Sequence, residues 1–291
     1  MKRISKAGMW FARRLPRGYW QIARFIAHRD PALWRFPLPL RFAPGKFLIA
    51  DLREPVFAQF LHAGCCIAQA GEDRLVMKLL RSGDVVYDVG ANIGYTSLLY
   101  AHCVAPSGAV IAIEPSPRAF SFLIRTTAEY PAIKAMNIAL SDKEGSLPFY
   151  ETETLDTSSL GPIPGIDPIE VRALTFDVVA RNNPKPTFIK VDVEGYESAV
   201  FRGMAAILGG ENPPVIFFEA LSTEAVAMTL KTQCTLFQVP FQVYRISRSG
   251  ELLKLRDPTG VNNYLTVPLN QTWRLEGIPH PEPEALKISC S

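Results

Sequence analysis

VVYDVGANIGYTSLLYA, residues 85–101, decides the fold. An apolar run ends in Asp88, a tight turn follows through Gly90-Ala91-Asn92-Ile93-Gly94, and a helix-like segment begins at Tyr95. The same strand–turn–helix rhythm recurs downstream. Short apolar runs predict strands at Val85–Val89, Ala109–Glu114, Ile133–Ile138, Thr187–Asp192 and Val215–Glu219. Helices are predicted between them at Tyr95–Val104, Ser116–Tyr130, Glu197–Leu208 and Thr223–Thr232. Strands apolar on both faces, alternating with helices, belong to a parallel sheet covered on both sides. Right-handed crossovers then give a doubly wound α/β fold. Phe241–Ile246 and Asn263–Val267 flank Ser249-Gly250 and predict an antiparallel end to the sheet. Glu151–Pro168, rich in Thr, Ser, Gly and Pro, is expected to be a surface loop near the ligand.

Upstream, Glu72–Leu80 reads as a helix, and residues 31–55 as a proline-rich stretch with short strands around Trp34–Phe42 and Lys46–Ala50. The chain has 291 residues and net charge +3, unevenly spread. Through Glu54 there are twelve basic residues against three acidic ones, and aromatic and aliphatic residues interleave with the arginines. This basic N-terminal extension reads as an amphipathic segment docked on its own domain, because Pro16 and Gly18 break any long surface helix. Contact with an anionic membrane surface is the alternative partner; nucleic acid is not the expected one. Cys65, Cys66, Cys103, Cys234 and Cys290 show no disulfide framework, and neither a membrane span nor a secretory leader is read, so the expected compartment is the cytoplasm.

In a doubly wound sheet, ligands sit beyond the carboxyl ends of the strands, where Asp88–Gly94 falls. A dinucleotide fingerprint would need glycines at the positions of Asn92 and Tyr95, and no Gly-Lys-Ser/Thr follows to make a phosphate loop. Asp88 would repel a phosphate and attract a cation. Glu114 ends the second strand, where a carboxylate holds ribose hydroxyls. A ribose, a positive charge and no phosphate describe S-adenosylmethionine. Asp88 and the glycine backbone would face its amino acid part and sulfonium, Glu114 its ribose, and Asp142 of ALSD (139–142) its exocyclic amine. Asp192 is assigned to the ligand pocket and Glu197 to its helix N-terminus.

VVYDVGANIGYTSLLYA, AIEPSPRAF, ALSD, LTFD and FIKVDVEGYESAVFRGM together resemble the FkbM family of S-adenosylmethionine-dependent methyltransferases, in register from Asp84 to Glu219, with a tail at NNYLTVP (262–268). Phe176-Asp177 stands where the family usually has Leu-Asp. The resemblance implies a class I methyltransferase (Rossmann-like) fold: a mostly parallel seven-stranded sheet with an antiparallel last strand. It implies O-methylation of a hydroxyl of a sugar, glycan or small metabolite. By motif match it places the cofactor at Asp88, Gly90, Asn92, Gly94, Glu114 and Asp142, and a second acidic motif at Asp192 and Glu194.

The organisation expected is a basic arm and proline-rich extension over 1–71, the methyltransferase domain over 72–276 and a loose tail over 277–291. Asp192 or Glu194 is the candidate general base, with binding of the cofactor's amino group or a substrate hydroxyl as the competing role. No metal is expected, since His28, His62, His102 and His280 are scattered and no third ligand joins the two carboxylates. Two other readings stay open: an NAD-linked oxidoreductase on a similar sheet, and a membrane- or nucleic-acid-associated module built on the arm.

Overall fold

Two prolines shape the first element of the computed structural model, which describes residues 35–51, 54, 57, 70–152, 155, 158–255 and 262–281. β1 (Arg35–Pro39) carries Pro37 and Pro39 and pairs antiparallel with β2 (Phe47–Asp51) in a two-stranded ribbon. Only such an edge tolerates residues without an N–H to donate. Leu38, Leu48 and Ala50 of the ribbon pack on Ile93, Leu98 and Phe122, so residues 35–51 belong to the domain's core and not to an extension outside it. The arm, Cys65, Cys66, Cys290, His28 and His62 lie outside the described residues.

The wound unit follows as α1 (Ala70–Leu79), β3 (Val85–Val89), α2 (Tyr95–Val104), β4 (Ala109–Ile113), α3 (Pro117–Thr127) and β5 (Ile133–Met136). After it come β6 (Ala139–Leu140), β7 (Gly145–Phe149), β8 (Ile169–Leu174), α4 (Phe176–Arg181), β9 (Phe188–Val191), α5 (Glu197–Arg202), α6 (Ala205–Leu208), β10 (Val215–Ala220) and α7 (Thr223–Leu236). β11 (Phe241–Ile246), β12 (Leu252–Lys254), β13 (Asn262–Pro268) and a 3₁₀ segment (Leu269–Leu275) close the described chain.

The large sheet has the order β12-β11-β13-β10-β9-β3-β4-β5. β5, β4, β3, β9 and β10 run parallel, and β13 runs antiparallel between β10 and β11. Seven strands thus stand in the class I methyltransferase order, and β12, three residues long, adds an eighth at the edge. Alternation along β3 feeds both faces: Val86 packs with Val110 and Phe188, while Tyr87 and Val89 pack with Ile111, Ile113 and Ile189. Full burial of each such side chain contributes roughly 1.5–3 kcal/mol.

Three departures from the sequence reading have local causes. The helix expected over Glu197–Leu208 is broken between α5 and α6. A Cβ on Gly203 would lie 2.1 Å from the Ser141 carbonyl oxygen, and Asp177 starts a new helix by accepting from the Ala206 and Ile207 N–H groups at 2.8 and 3.1 Å. The insertion carrying residues 151–168 springs from a small sheet of order β6-β8-β7 that the sequence did not signal. The loose tail begins later than residue 277, because Ile278 is buried in the core. Just before it, Arg274 grips Asp84 through two bonds of 2.6 and 2.7 Å, both groups buried, and so ties the 3₁₀ segment to the start of β3. No helix among the described residues is long and apolar enough to cross a membrane.

Candidate functional site

β3 and β9 are adjacent and parallel, but the chain leaves them in opposite directions along the sheet, β3 toward β4 and β9 toward β10. A crevice opens beyond strands at such a switch point. At its floor the Gly90 and Ala91 N–H groups both donate to the Ile113 carbonyl at 3.0 Å. Gly90 takes φ +80°, and a Cβ there would lie 1.8 Å from the Asp192 carbonyl oxygen, so the turns after β3 and β9 touch backbone to backbone. Asn92, at φ 48°, presents its N–H to Glu114 Oε2 at 2.8 Å, and Ser116 N–H donates to Glu114 Oε1 at 2.8 Å. Glu114 is thereby aimed into the crevice. Burial pushes its carboxyl up to about 7 against the pull of those two N–H groups. Asn92 Oδ1 is buried with no hydrogen-bond partner among the described residues.

Ile138, Ala139, Leu140 and Phe149 give the crevice an apolar side, and Leu155, Ser158 and Leu160 of the insertion also line it. The insertion is held there by Ser159 Oγ donating to the Glu194 carbonyl at 2.9 Å and by Asn92 Nδ2 donating to the Leu155 carbonyl at 3.5 Å. Of the described residues in this stretch, Leu155, Ser158 and Leu160 thus stand beside the crevice.

The opposite side is acidic: Asp192, Glu194 and Glu219 bring carboxylate oxygens within 4.8 Å of one another. Glu219, at the end of β10, is the third carboxylate the sequence reading lacked. The set has the donors of a divalent-cation site, but it already holds a cation. Lys190 Nζ sits 2.9 Å from Asp192 Oδ2, 3.8 Å from Asp88 Oδ1 and 3.3 Å from the Gly90 carbonyl. Burial alone would raise the Asp192 carboxyl, yet the Lys190 ammonium holds it below the usual range. Burial and the Asp192 charge push the hydrogen-bonded Glu219 upward. The two carboxyls thus divide their roles, Asp192 ionised and Glu219 retaining a proton.

Of the predicted cofactor residues, Gly90, Asn92 and Glu114 line the crevice, as do the catalytic candidates Asp192 and Glu194. Asp88, Gly94 and Asp142 do not. Asp88 shares the strand face of Val86, is fully buried, and accepts from Thr96 Oγ1 at 2.8 Å and Ser97 Oγ at 2.6 Å, which pins the start of α2. It reaches the crevice only through Lys190. Gly94, at φ +91°, caps α2 and lies against Leu123, where a Cβ would meet Cδ1 at 2.8 Å. Asp142 pairs with Arg202 at 2.8 Å outside the crevice, leaving Ile138–Leu140 as the surface for a flat ring.

A second cavity, of about 800 Å³, shares Thr96, Lys190, Asp192 and Glu219 with the first. Glu72 and Asp73 of α1, Arg245 of β11 and Asn263 of β13 line its far side. Glu72 accepts from Asn263 Nδ2 at 2.6 Å and Asp73 from Tyr95 OH at 2.7 Å. Burial, in each case the largest cause, pushes Glu72 up to about 7 and Asp73 up to about 6. The sequence reading missed this cavity entirely. Only Glu219 left a signal, an acid at a parallel strand's carboxyl end.

Residues 88–232 match the family described as Methyltransferase FkbM domain. The chain is 28% identical over 151 residues to the hexuronic acid methyltransferase AglP of Haloferax volcanii, covering 50% of this chain and 61% of that protein. It is 42% identical over 79 residues to the 31-O-demethyl-FK506 methyltransferase FkbM of Streptomyces tacrolimicus, covering 26% and 30%. The chain thus spans less than two thirds of either relative. Among solved structures, an FkbM methyltransferase of Methylobacillus flagellatus aligns with TM-score 0.44 at 17% identity, over 89% of this chain and 58% of that one. Over residues 88–232 the chain belongs to the FkbM methyltransferase family.

Proposed function

We propose that this FkbM domain moves a methyl group from S-adenosylmethionine to a hydroxyl of a sugar, glycan or other hydroxylated small molecule. One observation carries the reading: two cavities of different character meet at a single cluster of Lys190, Asp192 and Glu219. The first suits the donor. Glu114 has each oxygen fixed by one backbone N–H, leaving lone pairs for the two hydroxyls of a ribose. Ile138–Leu140 and Phe149 offer an apolar slot for a base, and the unpartnered Asn92 Oδ1 awaits a donor. Asp192 and Glu194 supply negative charge for an ammonium.

The donor, when bound, supplies an electrophilic methyl on a sulfonium. The chain's own residues have to align the acceptor oxygen and remove its proton. Asp192 and Glu219 face both cavities, so the hydroxyl proton passes to this pair, which then carries one more proton than before. Lys190 holds the pair's charge in place. Asp192 keeps the base role read from the sequence and gains Glu219 as its partner; Glu194, held over the crevice beside the insertion, is assigned to the donor. The names of the relatives, one for a hexuronic acid and one for 31-O-demethyl-FK506, support an oxygen acceptor.

Calorimetry with S-adenosylmethionine and with NAD tests the reading. Saturable binding of the former and none of the latter is expected, followed by transfer of labelled methyl into a hydroxylated fraction of cell extract. Binding of NAD alone would restore the oxidoreductase reading. Binding of the basic arm to anionic vesicles is a separate proposal, checked by deleting residues 1–30 and measuring salt-sensitive vesicle binding.

A further inference from the structure

Among the described residues, the acceptor-side cavity contains a cation without a counter-charge. Arg245 stands on β11, with Leu253 of β12 and Tyr264 of β13 as its cross-strand neighbours. Its Nε is buried and unpartnered, and the side chain forms no hydrogen bond or ion pair among the described residues. This is unexpected electrostatically, because four carboxyl groups line the same cavity. Each is engaged elsewhere: Glu72 with Asn263, Asp73 with Tyr95, Asp192 with Lys190, and Glu219 with Asp192. A partly buried charge left unpaired is costly, and a guanidinium left free in a cavity is arranged for an anion that arrives with a ligand.

We propose that Arg245 binds a carboxylate on the methyl acceptor, so that the preferred substrate is a polyhydroxylated carboxylic acid of monosaccharide size; this rests on the reading of the second cavity as the acceptor site. The planar fork of arginine matches a carboxylate in two parallel hydrogen bonds. A phosphate dianion fits less well, since the surrounding carboxyl groups repel a second negative charge. The exposed Arg248 lines the same cavity and adds a second positive charge near its mouth. Asn263 and Ser247 offer partners for hydroxyls, and Leu99 and Phe217 offer apolar surface for a sugar ring. At the other end stand Asp192 and Glu219, where the reacting hydroxyl must lie. A carboxylate anchored at Arg245 therefore orients the ring and selects which hydroxyl meets the donor.

The test uses the full chain saturated with S-adenosylhomocysteine, titrated with D-glucuronate, D-glucose 6-phosphate and D-glucose as probes. Two charge-assisted hydrogen bonds predict glucuronate binding at least about tenfold tighter than glucose. Arg245→Gln is expected to bring the two within about threefold, and Arg245→Lys, which keeps the charge but loses the fork, to fall between. Equal binding of glucuronate and glucose by the wild type, absence of glucuronate binding, or a preference unchanged in both variants overturns the proposal. Tighter binding of glucose 6-phosphate than of glucuronate overturns the carboxylate assignment. Titration of each protein with S-adenosylhomocysteine separates the two levels. If the wild type binds it without preferring glucuronate, this inference alone fails; if it does not bind it, the proposed methyl transfer fails as well. A variant that does not bind it is set aside as misfolded, and the other variant decides.

Discussion

Glu114 makes donor affinity depend on pH with a sign and size that follow from its surroundings. Burial pushes its carboxyl up to about 7 in the free protein, although Asn92 and Ser116 N–H groups favour the charged form. In the proposed donor site, ribose hydroxyls would donate to the carboxylate, so the ionised form is the one expected to bind. The competent fraction for a group titrating near 7 is about 0.09 at pH 6 and about 0.9 at pH 8, and the apparent dissociation constant scales inversely with it. S-adenosylhomocysteine should therefore bind about tenfold tighter at pH 8 than at pH 6, a difference of about 1.4 kcal/mol. Glu114→Gln should lose the pH dependence. It should also bind about tenfold to a hundredfold more weakly at pH 8, because one carboxylate–hydroxyl bond disappears and the amide's N–H₂ faces a donor. Isothermal titration at constant ionic strength across pH 6 to 8 measures both. A flat wild-type profile, or a profile that survives Glu114→Gln, would refute the reasoning.

Three further outcomes are expected. Asp192→Asn should lower kcat by about a hundredfold or more while weakening S-adenosylhomocysteine binding far less, measured by methyl-transfer kinetics beside calorimetry; an equal loss of both would move Asp192 from proton transfer to binding. Arg274→Ala should cost about 3–5 kcal/mol by leaving Asp84 buried without its partner. Burial alone would raise the Asp84 carboxyl, but the bonds from Arg274, Arg81 and Thr187 hold it below the usual range, so its contribution is present above the ordinary carboxylate pKa and lost as pH falls through the lowered one. Denaturant unfolding of wild type and variant at neutral and acid pH checks this, and an unchanged midpoint counts against it. Gly203→Ala, whose Cβ would meet the Ser141 carbonyl at 2.1 Å, should lower Tm by several degrees although Gly203 ends a helix and Ala is the better helix former; a gain in Tm would count against the packing account.

What could be read in advance divides along physical lines. Strand and helix periodicity is local, and the parallel strands and α2 fall within a residue or two of their expected bounds. Glu114 was legible because an acid at the end of the second strand has one place to go. Asp88 and Gly94 were also picked out by the right turn, but motif position does not say which way a side chain points. Strand parity sends Asp88 under α2, and Gly94 is used for packing against Leu123. Asp142 was lost to a local partner, Arg202. Glu219, Arg245 and the Glu72–Asn263 pair, 191 residues apart, were not legible because only the sheet order brings them together.

The antiparallel course of β13 has a consequence for how such a protein can change. Running against its neighbours, β13 begins at the edge where the parallel strands end, so that Asn263 faces Glu219 across the ladder. The crevice proposed for the donor is built within residues 88–232, the span the family match covers, whereas Glu72, Arg245 and Asn263 enter the wall proposed for the acceptor from before and after it. Drift or redesign in those flanking stretches can retune which molecule is methylated while the machinery that holds the methyl donor is inherited intact. In the proposed reaction, the two halves are written in separable lengths of chain and joined at one lysine and two carboxylates.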